Sequence, residues 1–161
     1  MIIRKIAPKD NVQMANIIRN SLLEFNAAKP GTVFYDETTD NLSQVFKTKR
    51  SGYYVIEING EIIGGGGFYP TEGLPENVCE LVKMYISKDF RRGGRGSKLL
   101  RKCMDAAAKQ GYQKMYLESM RELNMAISMY EKNGFNHIPK PLGNSGHTGC
   151  DIWMMRDLSE I

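Results

Sequence analysis

One glycine-rich run organises this sequence: Arg91-Arg92-Gly93-Gly94-Arg95-Gly96-Ser97. The apolar run before it, Val78 to Ile86, has the length of a buried strand. The apolar residues after it recur at helical spacing, and they are Leu99, Leu100, Cys103, Met104 and Ala107. Gly111 then ends the predicted helix. The pattern therefore predicts a strand, a glycine loop and a helix in direct succession.

A loop of this kind is suited to binding an anion. Glycines let successive main-chain N–H groups converge, and the N-terminus of a helix contributes about half a positive charge. The three arginines of the run attract a polyphosphate at longer range. The run is neither a Walker A loop, because no Gly-Lys-Ser/Thr closes it, nor the dinucleotide pattern Gly-x-Gly-x-x-Gly. A plain strand-to-helix turn and a disordered RNA-binding segment are the alternatives, and the ordered flanks disfavour the second.

Length and composition predict a single domain over residues 1–161. A chain of 161 residues can bury a substantial core. Its 42% hydrophobic and 25% charged residues are close to globular averages, which excludes disordered and fibrous classes. The net charge of +4 suits an anionic cofactor better than a nucleic acid, because the only other basic cluster is Lys47 to Arg50. We therefore expect no nucleic-acid partner.

The cysteines and histidines indicate no metal site. Cys79, Cys103 and Cys150 are widely separated, and neither they nor His137 and His147 show CxxC or HxxxH spacing. No apolar run approaches the length of a membrane span, and the first residues lack the apolar core of a signal peptide. These observations predict a cytoplasmic protein without a metal ion and without membrane contact.

The first helix is predicted from its capping pattern. After a strand at Ile2 to Ile6, Asp10 followed by Gln13 resembles a capping box. The next apolar positions recur at helical spacing, and they are Met14, Ile17, Ile18, Leu22 and Phe25. The connection from Asn26 to Asp40 is long, and loops of this length often carry function.

A hairpin follows a second short helix around Leu42 to Phe46. Asn59-Gly60 separates two strand-like runs, Tyr53 to Ile58 and Glu61 to Phe68, and this dipeptide is the strongest short hairpin signal. Glycines at Gly64 to Gly67 are unusual inside a strand. They indicate a β-bulge or clearance for a ligand, and we expect the bulge.

The C-terminal part adds strands and one more helix. Lys114 to Glu118 alternates as a strand, which makes a parallel crossover with the strand before the glycine loop. A helix from Glu122 to Asn133 ends at Gly134. Phe135 to Ile138 and Thr148 to Asp157 complete the strands. The predicted class is α/β (α+β), a mixed central sheet with helices on both faces.

With these elements in place, the sequence resembles the GNAT family of N-acetyltransferases over nearly its whole length. The family's loop pattern Gln/Arg-x-x-Gly-x-Gly/Ala is matched by Arg91, Gly94 and Gly96. Asn124 and then Tyr130-Glu131-Lys132-Asn133-Gly134-Phe135 resemble the family's Asn and Tyr-Glu-x-x-Gly-Phe region. The order of predicted elements also agrees from end to end. The resemblance implies the GNAT fold.

The resemblance further implies acetyl-coenzyme A as co-substrate. The strand from Val78 would splay from the strand at Lys114, and main-chain groups near Met84 and Ile86 would pair with the pantetheine arm. The pyrophosphate would be held by the loop residues Arg91, Arg92, Gly93, Gly94, Arg95, Gly96 and Ser97. Asn124 would contact the pantetheine region.

Two side chains are candidates for catalysis. Glu80, at a position where family members carry a catalytic glutamate, would act as general base, because transfer needs a neutral amine and apolar neighbours raise a carboxyl pKa. Tyr130, at the family's tyrosine position, would act as general acid. A main-chain N–H near Met84 would meet the oxyanion. A surface glutamate and a core tyrosine are the alternatives, and a covalent route through Cys79 or Cys103 is disfavoured.

The acceptor is expected to be the primary amine of a small molecule. The resemblance places it between the first helix, the loop after that helix, and the late loop from Pro139 to Thr148. The residues of interest are Phe34, Tyr35, Asp36, Glu37, Glu118 and His147, of which the acidic ones would attract a cation. A catalytically silent coenzyme A-binding module of the same fold and a nucleic-acid binder are the competing functions. A homodimer is compatible with the sequence, which does not determine the oligomeric state.

Overall fold

Strands and helices alternate along the chain. The computed structural model describes residues 1–159, so the last two residues of the predicted 1–161 domain lie outside it. The strands are β1 (Ile2–Lys5), β2 (Gly52–Ile58), β3 (Glu61–Tyr69), β4 (Val78–Ile86), β5 (Lys114–Ser119), β6 (Asn136–His137) and β7 (Ile152–Asp157). The α-helices are α1 (Asn11–Glu24), α2 (Leu42–Val45), α3 (Arg95–Lys109) and α4 (Asn124–Lys132). Short 3₁₀ turns cover Pro8–Asp10, Val33–Tyr35, Glu37–Asn41, Lys88–Phe90 and Arg121–Leu123.

The strands form one mixed sheet in the order β1-β2-β3-β4-β5-β7-β6. Neighbours from β1 to β4 are antiparallel, β5 is parallel to β4, and β7 is antiparallel to both β5 and β6. The predicted parallel crossover through α3 and the mixed sheet are confirmed. No helix within residues 1–159 is long and apolar enough to cross a membrane.

Two apolar cores lie on opposite faces of the sheet, as predicted. On the α3 side, the strands pack against Leu99, Leu100, Cys103 and Met104. On the α1 side, they pack against Met14, Ile18 and Leu22. Successive residues of β2 alternate between the cores, with Tyr54 and Ile56 on the α3 side and Tyr53 and Val55 on the α1 side. Each large apolar side chain buried in this way stabilises the fold by roughly 1.5–3 kcal/mol.

The start of α1 differs from the predicted capping box. The Asp10 carboxylate accepts a hydrogen bond from the Ala7 main-chain N–H at 2.8 Å. It also accepts two from the Arg4 guanidinium, at 2.7 and 3.0 Å. The Asp10 side chain does not cap α1, so the predicted capping box of Asp10 and Gln13 is wrong. The acid instead ties β1 to the helix start, because Arg4 offers it two charge-assisted hydrogen bonds.

The hairpin and its glycines are as predicted. Asn59 and Gly60 have φ values of 51° and 84°, the left-handed pair that a two-residue hairpin turn requires. The strand registers shift along the glycine run, which confirms the bulge. A Cβ on Gly65 or Gly67 would lie 2.7 Å from the Tyr53 ring. The glycines therefore make room for a buried aromatic side chain.

Candidate active site

A cleft opens where β4 and β5 separate. The two strands pair only from Val78 to Leu81 on β4, opposite Lys114 to Leu117 on β5, although β4 continues to Ile86. The predicted splay is therefore confirmed. The space beyond Leu81 is a cavity of about 230 Å³, whose walls include apolar side chains of β4, β5 and α4 such as Val82, Met84, Leu117, Met125, Ala126 and Met129.

One end of the cleft is formed by the N-terminus of α3. Gly93 and Gly94 have φ values of 81° and 72°, and this left-handed conformation turns the chain into the helix. Within the described chain, the main-chain N–H groups from Arg92 to Ser97 donate no hydrogen bond. A Cβ on Gly94 would have no atom within 4 Å. These amides, which we call the anion cradle, are therefore free to bind an anion in the open space beside Gly94.

The close approach of α3 to α4 shapes the same end. A Cβ on Gly96 would lie 2.6 Å from the Met129 sulfur, so the flexible Met129 side chain would have to shift to admit it. The Ser97 hydroxyl accepts a hydrogen bond from the Asn133 amide at 3.1 Å. Gly94, Gly96 and Ser97 all line the cleft, whereas Gly93 does not.

The arginines of the loop are placed less simply than the resemblance implied. Arg91 lines the cleft, but its guanidinium donates to Glu24 at 2.9 and 2.8 Å and to the Ile86 carbonyl at 2.8 Å. Arg95 donates to the Arg92 carbonyl at 2.5 Å. Arg92 is exposed, and neither it nor Arg95 lines the cleft. Arg91 and Arg95 thus fix the shape of the loop rather than pointing unpaired into the cleft.

Of the two predicted site residues on α4, Tyr130 lines the cleft and Asn124 does not. Tyr130 is buried, lines the cleft and packs on Phe135 with ring centroids 5.8 Å apart. Burial raises the pKa of the Tyr130 phenol above its usual range, so the phenol stays neutral. Asn124 is exposed and is not among the cleft residues.

The register shift between β3 and β4 changes which side chains of β4 face α1. Cys79 and Leu81 pack on the α3 side, and regular alternation would continue with Lys83 and Tyr85. Lys83 instead has φ 50°, and the register with β3 shifts there, so Met84 and Ile86 pack on the α3 side. The bulge therefore delivers Lys83 and Tyr85 to the α1 side. Met84 is paired in register with neither β3 nor β5.

Glu80 lies at the far end of the cleft from the cradle. It is 3% exposed, and the Thr71 hydroxyl donates a hydrogen bond to its carboxylate. Burial raises the pKa of Glu80 to about 7, and the nearby Glu118 charge adds to the rise, while His147 and Lys83 oppose it. This places a titratable carboxyl with a near-neutral pKa inside the cleft.

Glu118 joins β5 to the late loop. Its carboxylate accepts hydrogen bonds from the Tyr116 hydroxyl at 2.9 Å and from the Ser145 hydroxyl. Ligating atoms of Glu80, Glu118 and His147 all lie within 4.8 Å of one another. The two predicted acceptor-site residues, Glu118 and His147, therefore meet the predicted base.

Asp36 connects the loop after α1 to the same cluster. Its carboxylate accepts from the Lys83 ammonium at 2.7 Å and from His147 Nε2 at 3.2 Å, and the Lys83 side chain is only 5% exposed. Burial alone would raise the pKa of Asp36, but these hydrogen bonds lower it well below its usual range. Burial lowers the pKa of Lys83, and Asp36 opposes that effect.

The remaining predicted acceptor residues lie further out. Tyr35 is 62% exposed and lines a second, more open hollow next to the cleft, together with Asp36, Ser145, Gly146 and His147. Phe34 lines neither space and packs edge-on to Tyr35. Glu37 is exposed. Sequence reasoning missed Lys83, Thr71 and Tyr85, and only Lys83 carries a signal, since a lysine is unusual within a buried strand.

Comparisons with known proteins agree on one family. The model of the acetyltransferase (GNAT) family matches residues 15–135. The uncharacterised N-acetyltransferase YjgM of Escherichia coli (strain K12) is 37% identical over 158 residues, which is 98% of this chain and 95% of that protein. A GNAT-family acetyltransferase from Staphylococcus aureus Mu50 has a TM-score of 0.86 at 21% identity over 98% of both chains. The structure of yncA from Salmonella typhimurium, solved with its cofactor acetyl-CoA, has a TM-score of 0.74 at 21% identity, covering 98% of this chain and 94% of that one.

Proposed function

Because this chain belongs to the GNAT family of acetyltransferases, we propose that it transfers the acetyl group of acetyl-coenzyme A directly to the primary amine of a small molecule. The observation that carries this proposal is one continuous cleft with the anion cradle at one end and the buried carboxyl of Glu80 at the other. The cradle suits a pyrophosphate, and the carboxyl suits proton removal from an amine.

The residues of the cleft fit coenzyme A. The unbonded amides before and within the first turn of α3 would hold the pyrophosphate, with the exposed Arg92 adding positive charge nearby. The apolar walls beyond Leu81 would enclose the pantetheine arm, and the unpaired edge of β4 at Met84 offers main-chain groups to it. Bound in this way, acetyl-coenzyme A supplies an activated acetyl thioester.

Glu80 is proposed to remove the amine proton. A primary amine has an ordinary pKa near that of lysine, about 10.4, so it arrives protonated at neutral pH. A carboxyl with a pKa of about 7 accepts that proton better than an ordinary surface glutamate would. The hydrogen bond from Thr71 holds the carboxylate in place while it does so.

Tyr130 is proposed to supply a proton to the leaving sulfur. Its phenol is neutral because burial raises its pKa, so it keeps the proton until the sulfur takes it. Burial also raises the pKa of Cys79 to about 12, and it raises the pKa of Cys103 as well. Neither thiol therefore offers a thiolate near neutral pH, which favours direct transfer over a covalent cysteine route.

The charges of the acceptor end favour a cationic, small acceptor. Asp36, Glu80 and Glu118 contribute three carboxyl groups, and Lys83 contributes one buried ammonium group. The excess of carboxyl groups favours binding of a protonated amine. The loop after α1 and the late loop are joined by a hydrogen bond at this end, since the Gly149 N–H donates to the Gly31 carbonyl at 2.9 Å. Such an enclosure suits a small molecule better than a folded protein surface.

An acceptor panel tests the proposal. The protein is incubated with acetyl-coenzyme A and with monoamines, diamines, amino acids, aminoglycosides and a peptide with a free N-terminus, and release of coenzyme A is measured. We expect saturable turnover with at least one small cationic amine and none with the peptide. Turnover with the peptide alone would contradict the acceptor class. Coenzyme A binding by calorimetry without turnover on any amine would contradict transfer and favour a silent coenzyme A-binding module.

A further inference from the structure

His147 lies on the boundary between the cleft and the outer hollow. Among the residues that line the two spaces, only Thr32 and His147 are shared. The His147 side chain is 15% exposed, so it is neither buried nor freely solvated. The hollow on its outer side is bordered by Tyr35, which is 62% exposed. His147 therefore connects the interior of the site to solvent.

A buried base needs a route by which its proton leaves. If Glu80 takes the amine proton, it must lose that proton before the next turnover, yet its side chain is almost completely enclosed. Thr71 already donates to this carboxylate and so cannot accept from it through the same hydrogen bond. Lys83 is a cation held by Asp36 and has no lone pair to offer while protonated.

His147 is the neighbour best able to accept that proton. Glu118 already accepts hydrogen bonds from two hydroxyl groups, those of Tyr116 and Ser145. A ring nitrogen of His147 lies within 4.8 Å of a Glu80 oxygen, a distance that one water molecule or the acceptor amine can bridge. Imidazole is also the side chain whose ordinary pKa is closest to neutral.

Asp36 determines which nitrogen of His147 can accept. An ionised carboxylate only accepts hydrogen bonds, so His147 Nε2 carries the hydrogen that it donates to Asp36. Nδ1 is then the basic nitrogen. Asp36 is itself fixed by the Lys83 ammonium and by the Thr38 main-chain N–H at 2.9 Å. The ring orientation thus depends on a buried ion pair.

We propose that His147, oriented by Asp36, is the proton exit of the site. This inference rests on the proposed function. The proton passes from the Glu80 carboxyl oxygen to the imidazole nitrogen, which regenerates the carboxylate and forms an imidazolium. The imidazolium then returns one proton to water in the outer hollow. Asp36 acts through His147 and is a positioning residue.

The charged groups around His147 are compatible with this role. Asp36 faces it from the loop after α1, Glu80 and Lys83 from β4, and Glu118 from β5. The charge of Arg19 on α1 lowers the pKa of Lys83 from further away. Three carboxyl groups and one ammonium group therefore surround the His147 ring.

The test is chemical rescue. In His147→Ala, steady-state turnover of the amine identified by the panel should fall by at least about tenfold, with the Kd for coenzyme A unchanged. Added imidazole should restore turnover, because the hollow admits it and it takes the proton directly. Substituted imidazoles of higher pKa should rescue more strongly. Asp36→Asn, which keeps the side-chain size, should also become dependent on added imidazole.

His137 provides a matched control. It is also hydrogen-bonded to a carboxylate, that of Glu131 at 2.8 Å, but it lies on β6 and lines neither space. His137→Ala should keep wild-type turnover with no response to imidazole. Unchanged turnover in His147→Ala would overturn the proton exit, and so would a loss that imidazole fails to restore in both His147→Ala and Asp36→Asn. Wild-type turnover of the same amine is measured beside each variant. Absence of wild-type turnover would contradict the proposed function, which is a different outcome from failure of the proton exit.

Discussion

The two ends of the cleft are built in different ways. At the proposed donor end, one continuous stretch, Arg92 to Ser97, supplies main-chain amides that donate no hydrogen bond within the described residues. At the proposed acceptor end, Asp36, Glu80 and His147 come from distant segments, and the Asp36–His147 contact spans 111 positions. There the polar side chains are bonded to one another.

This difference predicts that binding is general at the proposed donor end and specific at the proposed acceptor end. A main-chain cradle depends on glycine positions and on a helix start, so many sequences can form it around the same pyrophosphate. A side-chain cluster depends on every member, because an unpaired buried charge costs several kcal/mol. Changes at the acceptor end should therefore affect the chemistry, and changes in the cradle should affect donor affinity.

Glu80→Gln should have the largest effect and should separate the two ends most clearly. We expect turnover to fall by about 10²- to 10⁴-fold with an unchanged Kd for coenzyme A, because an amide cannot take the proton. In the wild type, the rate should decrease as the pH falls below about 7, where Glu80 becomes protonated. This acidic limb should disappear in the variant. Glu76→Gln, whose parent side chain is 96% exposed, is the matched control and should behave as wild type.

The same variant should remain folded, and its stability gives an independent check on burial. Glu80 has an ordinary pKa of 4.5 and a folded pKa of about 7, so it binds its proton more tightly in the folded chain. Its contribution to the free energy of unfolding is full below the lower value and is lost as the pH rises through the higher one. Glutamine does not titrate. The free energy of unfolding of Glu80→Gln should therefore exceed that of the wild type by on the order of 3 kcal/mol at about pH 8 and by much less at about pH 5. An equal stability difference at both pH values would contradict a buried, proton-binding Glu80.

Features with local causes could be predicted from the sequence. Asn59-Gly60 specifies its turn through two positive φ angles, and Gly134 has φ 84° where α4 ends. The strand, loop and helix around Gly94 follow from hydrophobic periodicity and from glycine, both of which act within a few residues. The fold and the conformation of the glycine loop could therefore be predicted from the sequence.

Features with distant causes could not be predicted. The bulge at Lys83 reverses which side chains of β4 face each side of the sheet, and the apolar run from Val78 to Ile86 contains no residue pattern that predicts this bulge. Arg91 matches the loop motif, yet its guanidinium is held by Glu24 of α1, 67 positions away. Asn124 matches a motif position, but it is exposed and does not line the cleft. A motif places a residue along the chain, whereas its partners depend on packing between elements.

Tyr130→Phe should have an intermediate effect, because it tests a group between the two ends. We expect turnover to fall by about 10- to 100-fold with little change in the Kd for coenzyme A. Phenylalanine keeps the packing on Phe135, so the melting temperature should equal that of the wild type. Tyr85 is the matched control, since it also lines the cleft and lies close enough to Tyr130 for that phenol to raise the pKa of Tyr85. A large loss in Tyr85→Phe with none in Tyr130→Phe would move the general acid to Tyr85.

Gly94→Ala should have the smallest effect and should be confined to the donor end. Gly94 has φ 72° and open space around its would-be Cβ, and Gly111, at the other end of α3, has φ 88° and the same open space. Alanine at either position should cost about 1 kcal/mol of stability through the left-handed conformation. Only the methyl group at position 94 would stand in the anion cradle. Calorimetry should show about a tenfold weaker Kd for coenzyme A in Gly94→Ala, as expected for the loss of one charge-assisted hydrogen bond, and no change in Gly111→Ala. If both variants weakened coenzyme A equally, backbone strain in α3 rather than access to the amides would control donor binding.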